Sequence, residues 1–258
     1  MAKRLSLFAC AALLTAGISA NADTLGGEIA IGGWNHDPSG WVKYPNDVPD
    51  DQSKVDADDD LNLDTETDLY VRAKLEHPVP ILPNIRLAYV KTESEGDGTI
   101  SRDFTFGDIT VGVSDKIHSE ASLKNYDATF YYELLDNDTV GLDLGITARY
   151  LDGYVKVTDK TTGESDSHDI DFVVPMVYAG ARIALPFLEG LSVGAEGSGI
   201  TYDGSTLFDI QGDLRYTFGM GLGAEAGYRW QKVKLDDVDD SDADIDIKGF
   251  YAGLVWDF

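Results

Sequence analysis

The sequence predicts an all-β protein, a transmembrane antiparallel up-and-down β-barrel of ten strands, with eight or twelve as the alternatives. Three observations carry this. Polarity alternates with a period of two through most of the chain. Short connections alternate with long acidic ones. The last ten residues alternate aromatic or apolar side chains up to a terminal phenylalanine. In 139–151, Val140, Leu142, Leu144, Ile146, Ala148 and Tyr150 fall on one face, and Gly141, Asp143, Gly145, Thr147 and Arg149 on the other. A helix would repeat every 3.6 residues; a strand with two unlike sides repeats every two.

The N-terminus reads as a cleaved signal peptide, residues 1–22. Lys3 and Arg4 precede an apolar run from Leu5 to Ala16, and Ala20-Asn21-Ala22 supplies an A-x-A cleavage site before Asp23. The run is too short to span a bilayer as a helix. Leu7-Phe8-Ala9-Cys10 loosely resembles a lipobox, but too little apolar sequence precedes Cys10 for a lipoprotein signal. Cys10 is the one cysteine, so the mature chain has no thiol or disulfide chemistry. Residues 23–258 read as a single outer-membrane β-barrel domain.

Within that domain the expected strands are 25–35, 61–76, 84–95, 122–134, 139–157, 169–185, 190–202, 206–217, 221–235 and 244–258. The 169–185 segment alternates poorly, with apolar residues on both faces. Phe104, Phe106, Ile109, Val111 and Val113 make 103–117 a candidate extra hairpin, which would give twelve strands. Connections at one end are short or proline-rich: 77–84, 135–138, 186–190 and 219–220. Those at the other end include the acidic segments 36–60, 96–121, 159–168 and 236–243, with only 203–205 short. This asymmetry is the outer-membrane pattern of brief periplasmic turns and long external loops.

A lipocalin-like soluble barrel would also alternate, with its apolar face inward. Here the polar face carries both charges and many glycines, with Asp143, Arg149, Asp213, Arg215, Glu225 and Arg229 the expected lumen charges. The apolar face carries aromatics near strand ends, among them Tyr89, Tyr126, Tyr228 and Trp230, as interfacial girdles do. Phe250, Leu254, Trp256 and Phe258 share one face of the last strand. They resemble the C-terminal insertion signal that the barrel-assembly machinery reads.

Longer segments carry a further resemblance. Glu76-His77-Pro78-Val79-Pro80-Ile81-Leu82-Pro83-Asn84-Ile85-Arg86-Leu87, then Tyr126-Asp127 and Tyr131-Tyr132-Glu133-Leu134-Leu135-Asp136-Asn137, then Gly145 to Leu151-Asp152-Gly153, resemble a family of small proteobacterial outer-membrane β-barrel proteins with a signal peptide and a C-terminal Phe. The match covers most of the mature chain, most clearly 69–153. It implies a membrane barrel and brings no activity, ligand or catalytic residue.

Forty-six acids against twenty bases give a net charge of −26, and loss of Lys3 and Arg4 makes the mature chain more negative still. Such a chain repels nucleic acid. The acids cluster in Asp56-Ala57-Asp58-Asp59-Asp60 and in 236–246, which read first as solvated loops. Asp240, Asp242 and Asp244 have the opening spacing of a calcium loop, but Ile245 and Tyr251 stand where it needs Gly and Glu. They are weak metal candidates only. His36, His118 and His168 fall in expected outer loops, near Ser119, Ser167 and Asp169, and His77 in a short turn. Every outer loop is rich in Asp and Ser, so these neighbours do not define a triad, which is a spatial relation. No P-loop, dinucleotide fingerprint, HExxH or CxxC motif is present. The expectation is therefore an outer-membrane barrel with a structural, interaction or narrow-transport role. It would have no catalytic activity and no cofactor. Its partners would be outer-membrane lipids and lipopolysaccharide, with divalent cations as a bridge, and the assembly machinery during insertion. A passive small-solute channel is the first alternative, a membrane-embedded hydrolase or lipid-modifying enzyme the second.

Overall fold

The computed structural model describes residues 25–79 and 81–258; the expected signal peptide lies outside them. Alternating sequence becomes strand throughout. The strands are β1 (Gly26–Lys43), β2 (Lys54–Asp56), β3 (Glu66–Glu76), β4 (Asn84–Thr99), β5 (Phe104–Phe106), β6 (Ile109–Val111), β7 (Lys116–Asp136), β8 (Val140–Asp159), β9 (Ser165–Ala184), β10 (Leu191–Tyr202), β11 (Ser205–Thr217), β12 (Leu222–Val238) and β13 (Ser241–Asp257). One short helix, α1 (Asp50–Ser53), lies in the first long connection.

Ten of these strands pair antiparallel in the order β13-β12-β11-β10-β9-β8-β7-β4-β3-β1, and β13 pairs back onto β1. The sheet has no free end along its membrane-crossing length, the condition for a strand structure in lipid. Closure runs from Glu28↔Asp257 to Lys43↔Asp242. At the chain end, Gly27 and Phe258 exchange both backbone hydrogen bonds at 2.9 Å. A glycine is needed within this seam: a Cβ on Gly32 would stand 2.2 Å from the Ala252 carbonyl and 2.6 Å from the Tyr70 ring.

The outward face is apolar. Ile146, Val177, Leu214, Phe250 and Leu254 are among many large side chains left exposed, far more than a soluble surface carries. Rings pair along the two borders of this band: Tyr89, Tyr126 and Tyr150 form a chain at 5.0 and 6.0 Å, and Trp256 lies 5.0 Å from Phe258. Phe250, Leu254, Trp256 and Phe258 all face outward on β13 or at its end.

Several outer segments differ from expectation. β1 continues to Lys43 and β7 begins at Lys116, so the wall rises well above the membrane band. The acidic 236–243 segment is mostly strand. Its turn is two residues, Asp239 and Asp240, both at positive φ (49° and 59°) between paired Val238 and Ser241. Aspartate tolerates that conformation because its short carboxylate bonds locally. The 103–117 segment is not a barrel hairpin. β5 and β6 pair only with each other, so the barrel has ten strands.

These two short strands, β2 and the α1 region fold over the barrel mouth as a lid that shares its apolar core with Ile117 of β7 and Val157 of β8. Val55, Ala57, Leu61, Phe104, Phe106, Val111, Ile117 and Val157 are buried together. The Asp56–Asp60 acids serve this lid as turn-formers. Asp56 Oδ1 accepts the amides of Asp58 and Asp59, and Asp60 Oδ2 accepts from Arg102 at 2.5 Å. That turn aims Ala57 and Leu61 down into the core, so the acidic run is structured and not merely solvated.

Candidate functional site

The lumen is built in storeys. Near the short-turn end, inward positions on eight strands form a layer of charge pairs. Arg72 meets Glu28 at 2.8 Å and Glu225 at 2.9 Å. Arg215 meets the same two carboxylates at 2.6 and 2.9 Å, and Tyr70 donates to Glu225 at 3.0 Å. Glu196 accepts from Arg86 at 2.7 Å, Gln211 at 2.8 Å and Tyr178 at 3.0 Å, with Lys74 at 3.5 Å. Asp213 is held by Arg182 at 2.9 Å, and Asp143 lies 3.8 Å from Lys74.

At mid-height a second network crosses the lumen. Arg149 is bidentate on Asp127 at 2.7 and 2.6 Å and reaches Asp209 at 2.8 Å. Arg229 donates to the other side of Asp209 at 2.8 Å and lies over the buried Trp34 ring, 4.9 Å from its centroid. Asn125 and Gln231 bond at 3.1 Å, and Thr129, Thr147 and Ser198 form a hydroxyl chain at 2.8 and 3.1 Å. Of the six charges expected from sequence, only Arg215 and Glu225 pair with each other. Arg149 and Arg229 share Asp209, which that set lacks, and Asp143 and Asp213 take Lys74 and Arg182 as partners. Glu28, Asp127, Glu196 and Asp209, which carry the same inward alternation, complete these pairs.

Above these networks the interior changes character. Leu123, Leu151, Ile170, Phe172, Val233, Leu235, Ala243, Ile245 and Ile247 point inward and, with Ala57, Leu61 and Leu63 of the lid above, enclose an apolar cavity of about 120 Å³. This explains why 169–185 has apolar residues on both faces. Val173 and Val177 face lipid, Ile170 and Phe172 line the chamber, and Met176 is buried on the inward face beside them. A void of that size left empty would cost about 3 kcal/mol, at roughly 24 cal/mol per Å³.

Two histidines line this cavity from opposite walls, β1 and β9. His36 is 1% exposed; its Nε2 sits 3.1 Å from Asp68 Oδ2. His168 is buried and stacks on Tyr44 with ring centroids 4.1 Å apart. The His36 Nδ1 and His168 Nε2 atoms are buried with no hydrogen-bond partner. On β9 the outward side chains turn from Val173 to Asp171 and Asp169, so His168 stands above the membrane band. Burial holds its imidazole below the usual histidine pKa, against the opposing pull of Asp239, Asp169, Asp240 and Asp166.

The remaining chemistry-bearing residues do not gather. His118 pairs with Asp97 at 3.0 Å, and His77 lies at the other end of the barrel beside the Pro83 carbonyl at 3.2 Å. Consecutive strand residues point to opposite faces, so His118 and Ser119, or His168 and its neighbours Ser167 and Asp169, cannot meet. The same geometry separates the metal candidates. Asp242 and Asp244 are successive outward positions of β13, roughly 7 Å apart along the strand. Asp244 is held by Lys232 at 2.5 Å, and Asp240 is in the turn. Among the described residues no three His, Cys, Asp or Glu side chains form a metal-holding group.

No family model and no curated protein matches this sequence. Solved structures do. The outer membrane protease OmpT from Escherichia coli aligns with 94% of this chain and 99% of its own at TM-score 0.55 and 12% identity. Ail of Yersinia pestis covers 91% of this chain and 100% of its own at TM-score 0.36 and 12% identity. The transport unit of the autotransporter AIDA-I from Escherichia coli covers 95% and 93% at TM-score 0.39 and 9% identity. The closed ten-strand barrel, its apolar outward band and its charged lumen define an outer-membrane β-barrel protein of the Gram-negative type.

Proposed function

We propose that this protein is a non-conducting outer-membrane barrel whose role is structural or interactive and is exercised from its outer end. The observation that carries this is the pair of charge networks across the lumen. Arg72, Arg149, Arg215, Arg229, Asp209 and Glu225 are all buried, so these side chains fill the space a solute would need. A ten-stranded barrel has a narrow bore to begin with. The likeness to OmpT is one of fold alone and lends no protease activity; the scattering of His77 and His118 away from His36 and His168 favours a non-catalytic role.

Planar-bilayer recording of the purified protein tests the reading. The expected result is a silent membrane; steady single-channel steps would replace it with a passive small-solute channel. A lipid or peptide turnover assay on the parent and a His36, His118 and His168 triple variant tests the catalytic alternative. Turnover by the parent that the variant loses would overturn the non-catalytic reading.

A further inference from the structure

Strand pairing lapses at two places in the outer half of the wall: at β3–β4 beyond Tyr70↔Val90, where Asn62 of the lid packs against Gly96 and Gly98, and at β9–β10. β8 pairs with β9 from Val140↔Ile183 up to Thr158↔Ser165. On the other side β9 pairs with β10 only from Ser192↔Ala184 to Gly199↔Val177. Pairing ends at Val177, and two residues further up the strand Pro175 has no N–H to give a ladder. β10 ends at Tyr202, and a tight Asp203-Gly204 turn (φ 47° and 82°) sends β11 back down. The β10-facing side of 165–175 therefore has no strand beside it.

This gap is apolar and leads inward. A cleft of about 500 Å³ occupies it, bordered by Phe172, Val174, Pro175, Ile200, Leu207 and Leu235. Phe172 and Leu235 also line the chamber, so these two side chains stand between cleft and chamber. Outside, the gap sits where β9 passes from Val173 to Asp171, the boundary between the hydrocarbon and head-group regions of the outer leaflet. An unpaired edge is not stable deeper in lipid.

We propose that the chamber is a binding site for a small, neutral, largely apolar molecule with one hydrogen-bonding group, reached sideways from the outer leaflet through the β9–β10 gap. Size restricts the occupant: a dry cavity of this scale accepts one ring. Polarity restricts it further. The walls are mostly aliphatic and aromatic, with Thr92, Ser94, Ser122 and Tyr154 among the few polar side chains, and His36 Nδ1, His168 Nε2 and Ser122 Oγ are the unpartnered polar atoms that a phenol- or alcohol-like hydroxyl would satisfy. Charge excludes anions, since Asp68 backs His36, and Asp166, Asp169, Asp239 and Asp240 surround His168. The proposal rests on the lumen being shut below, because an open lumen would flood the chamber.

The test is ¹⁹F NMR of 4-fluorophenol and fluorobenzene with the protein in lipid nanodiscs, empty nanodiscs reporting simple partition into lipid. The parent should bind 4-fluorophenol saturably and more tightly than fluorobenzene. A121L and A243L each fill part of the chamber from a different strand and should weaken binding about tenfold or more. Ala226→Leu, on the lipid face, should leave it unchanged. Ile200→Trp borders only the cleft; it should slow exchange about tenfold with little change in affinity. Parent binding no greater than in empty nanodiscs, or equal binding by both filled variants, would overturn the site. Equally fast exchange in Ile200→Trp would overturn the sideways route. Bilayer recording of the same preparations is the independent arm: channel steps mark failure of the closed-lumen reading, whereas a silent bilayer without saturable binding marks failure of the ligand site alone.

Discussion

At the scale of single residues, the lumen illustrates what charges do when water is removed. Asp209 lies between Arg149 and Arg229, and all three are buried. Such a cluster adds little net stability over an apolar core, but breaking it strands a charge at about 3–5 kcal/mol. Arg229→Ala should therefore lower the unfolding midpoint seen by heat-modifiable gel mobility. The lysine variant should recover only part, because an ammonium cannot reproduce the two-pronged contact with Asp209. His168 makes a second prediction. Burial depresses its pKa, so between the unfolded value of about 6.5 and the lower folded one the unfolded state binds more protons. Stability of the lid region is full above that window and falls as pH drops through it. NMR titration of the imidazole should give a midpoint below 6.5, and hydrogen exchange in 165–170 should quicken on acidification. A midpoint at or above about 6.5 would contradict the burial argument.

At the scale of elements, the two faces of each strand have opposite tolerances. Ala226 is exposed on the lipid side of β12, between inward Glu225 and Gly227. Ala226→Arg should impair insertion, since a midplane arginine costs roughly 2–4 kcal/mol in a barrel. Normal folding of that variant, with failure of Arg229→Ala to insert, would mean the faces are exchanged. The lid is a separable element. Phe106 is fully buried and meets the Tyr44 ring edge-on at 5.7 Å. Phe106→Ala should cost the lid about 3–5 kcal/mol, opening 100–115 to protease while the barrel keeps its heat-modifiable mobility. Loss of barrel and lid together would show that the two fold as one unit.

At the scale of the whole molecule, the expected orientation places the lid and acidic connections outside the cell and the short turns in the periplasm, as loop lengths in this class do. An epitope tag at Asp50 should be reachable on intact cells and one at Leu188 should not; the reverse pattern would invert the topology. Barrel and lid also divide the work. The charge networks lie below the chamber, so deletion of β5 and β6 should expose the chamber without producing conductance. Current steps in that deletion variant would mean the lid, and not the networks, is the seal.

Alternation marked ten strands, with eight or twelve left open, and put charges such as Arg149 and Glu225 on the face opposite the apolar one, because a strand's period of two is local and each residue declares its own face; that 103–117 adds no barrel hairpin was decided by the tertiary structure. Pairing partners were not legible. Asp209 joins Arg149 to Arg229 only because barrel closure and strand stagger bring β8, β11 and β12 to one height, and sequence spacing carries no trace of that stagger. The lid was hidden for a related reason. Ala57, Leu61, Phe104 and Val111 bury one another across long separations in sequence, and their acidic neighbours dominate the local composition. The chamber left one signal, the apolar residues on both faces of 169–185, which by itself reads as a poor strand. Only the tertiary structure sets Ile170 and Phe172 against Leu235, Ala243 and the lid, since enclosure is a property of surfaces that meet from all sides.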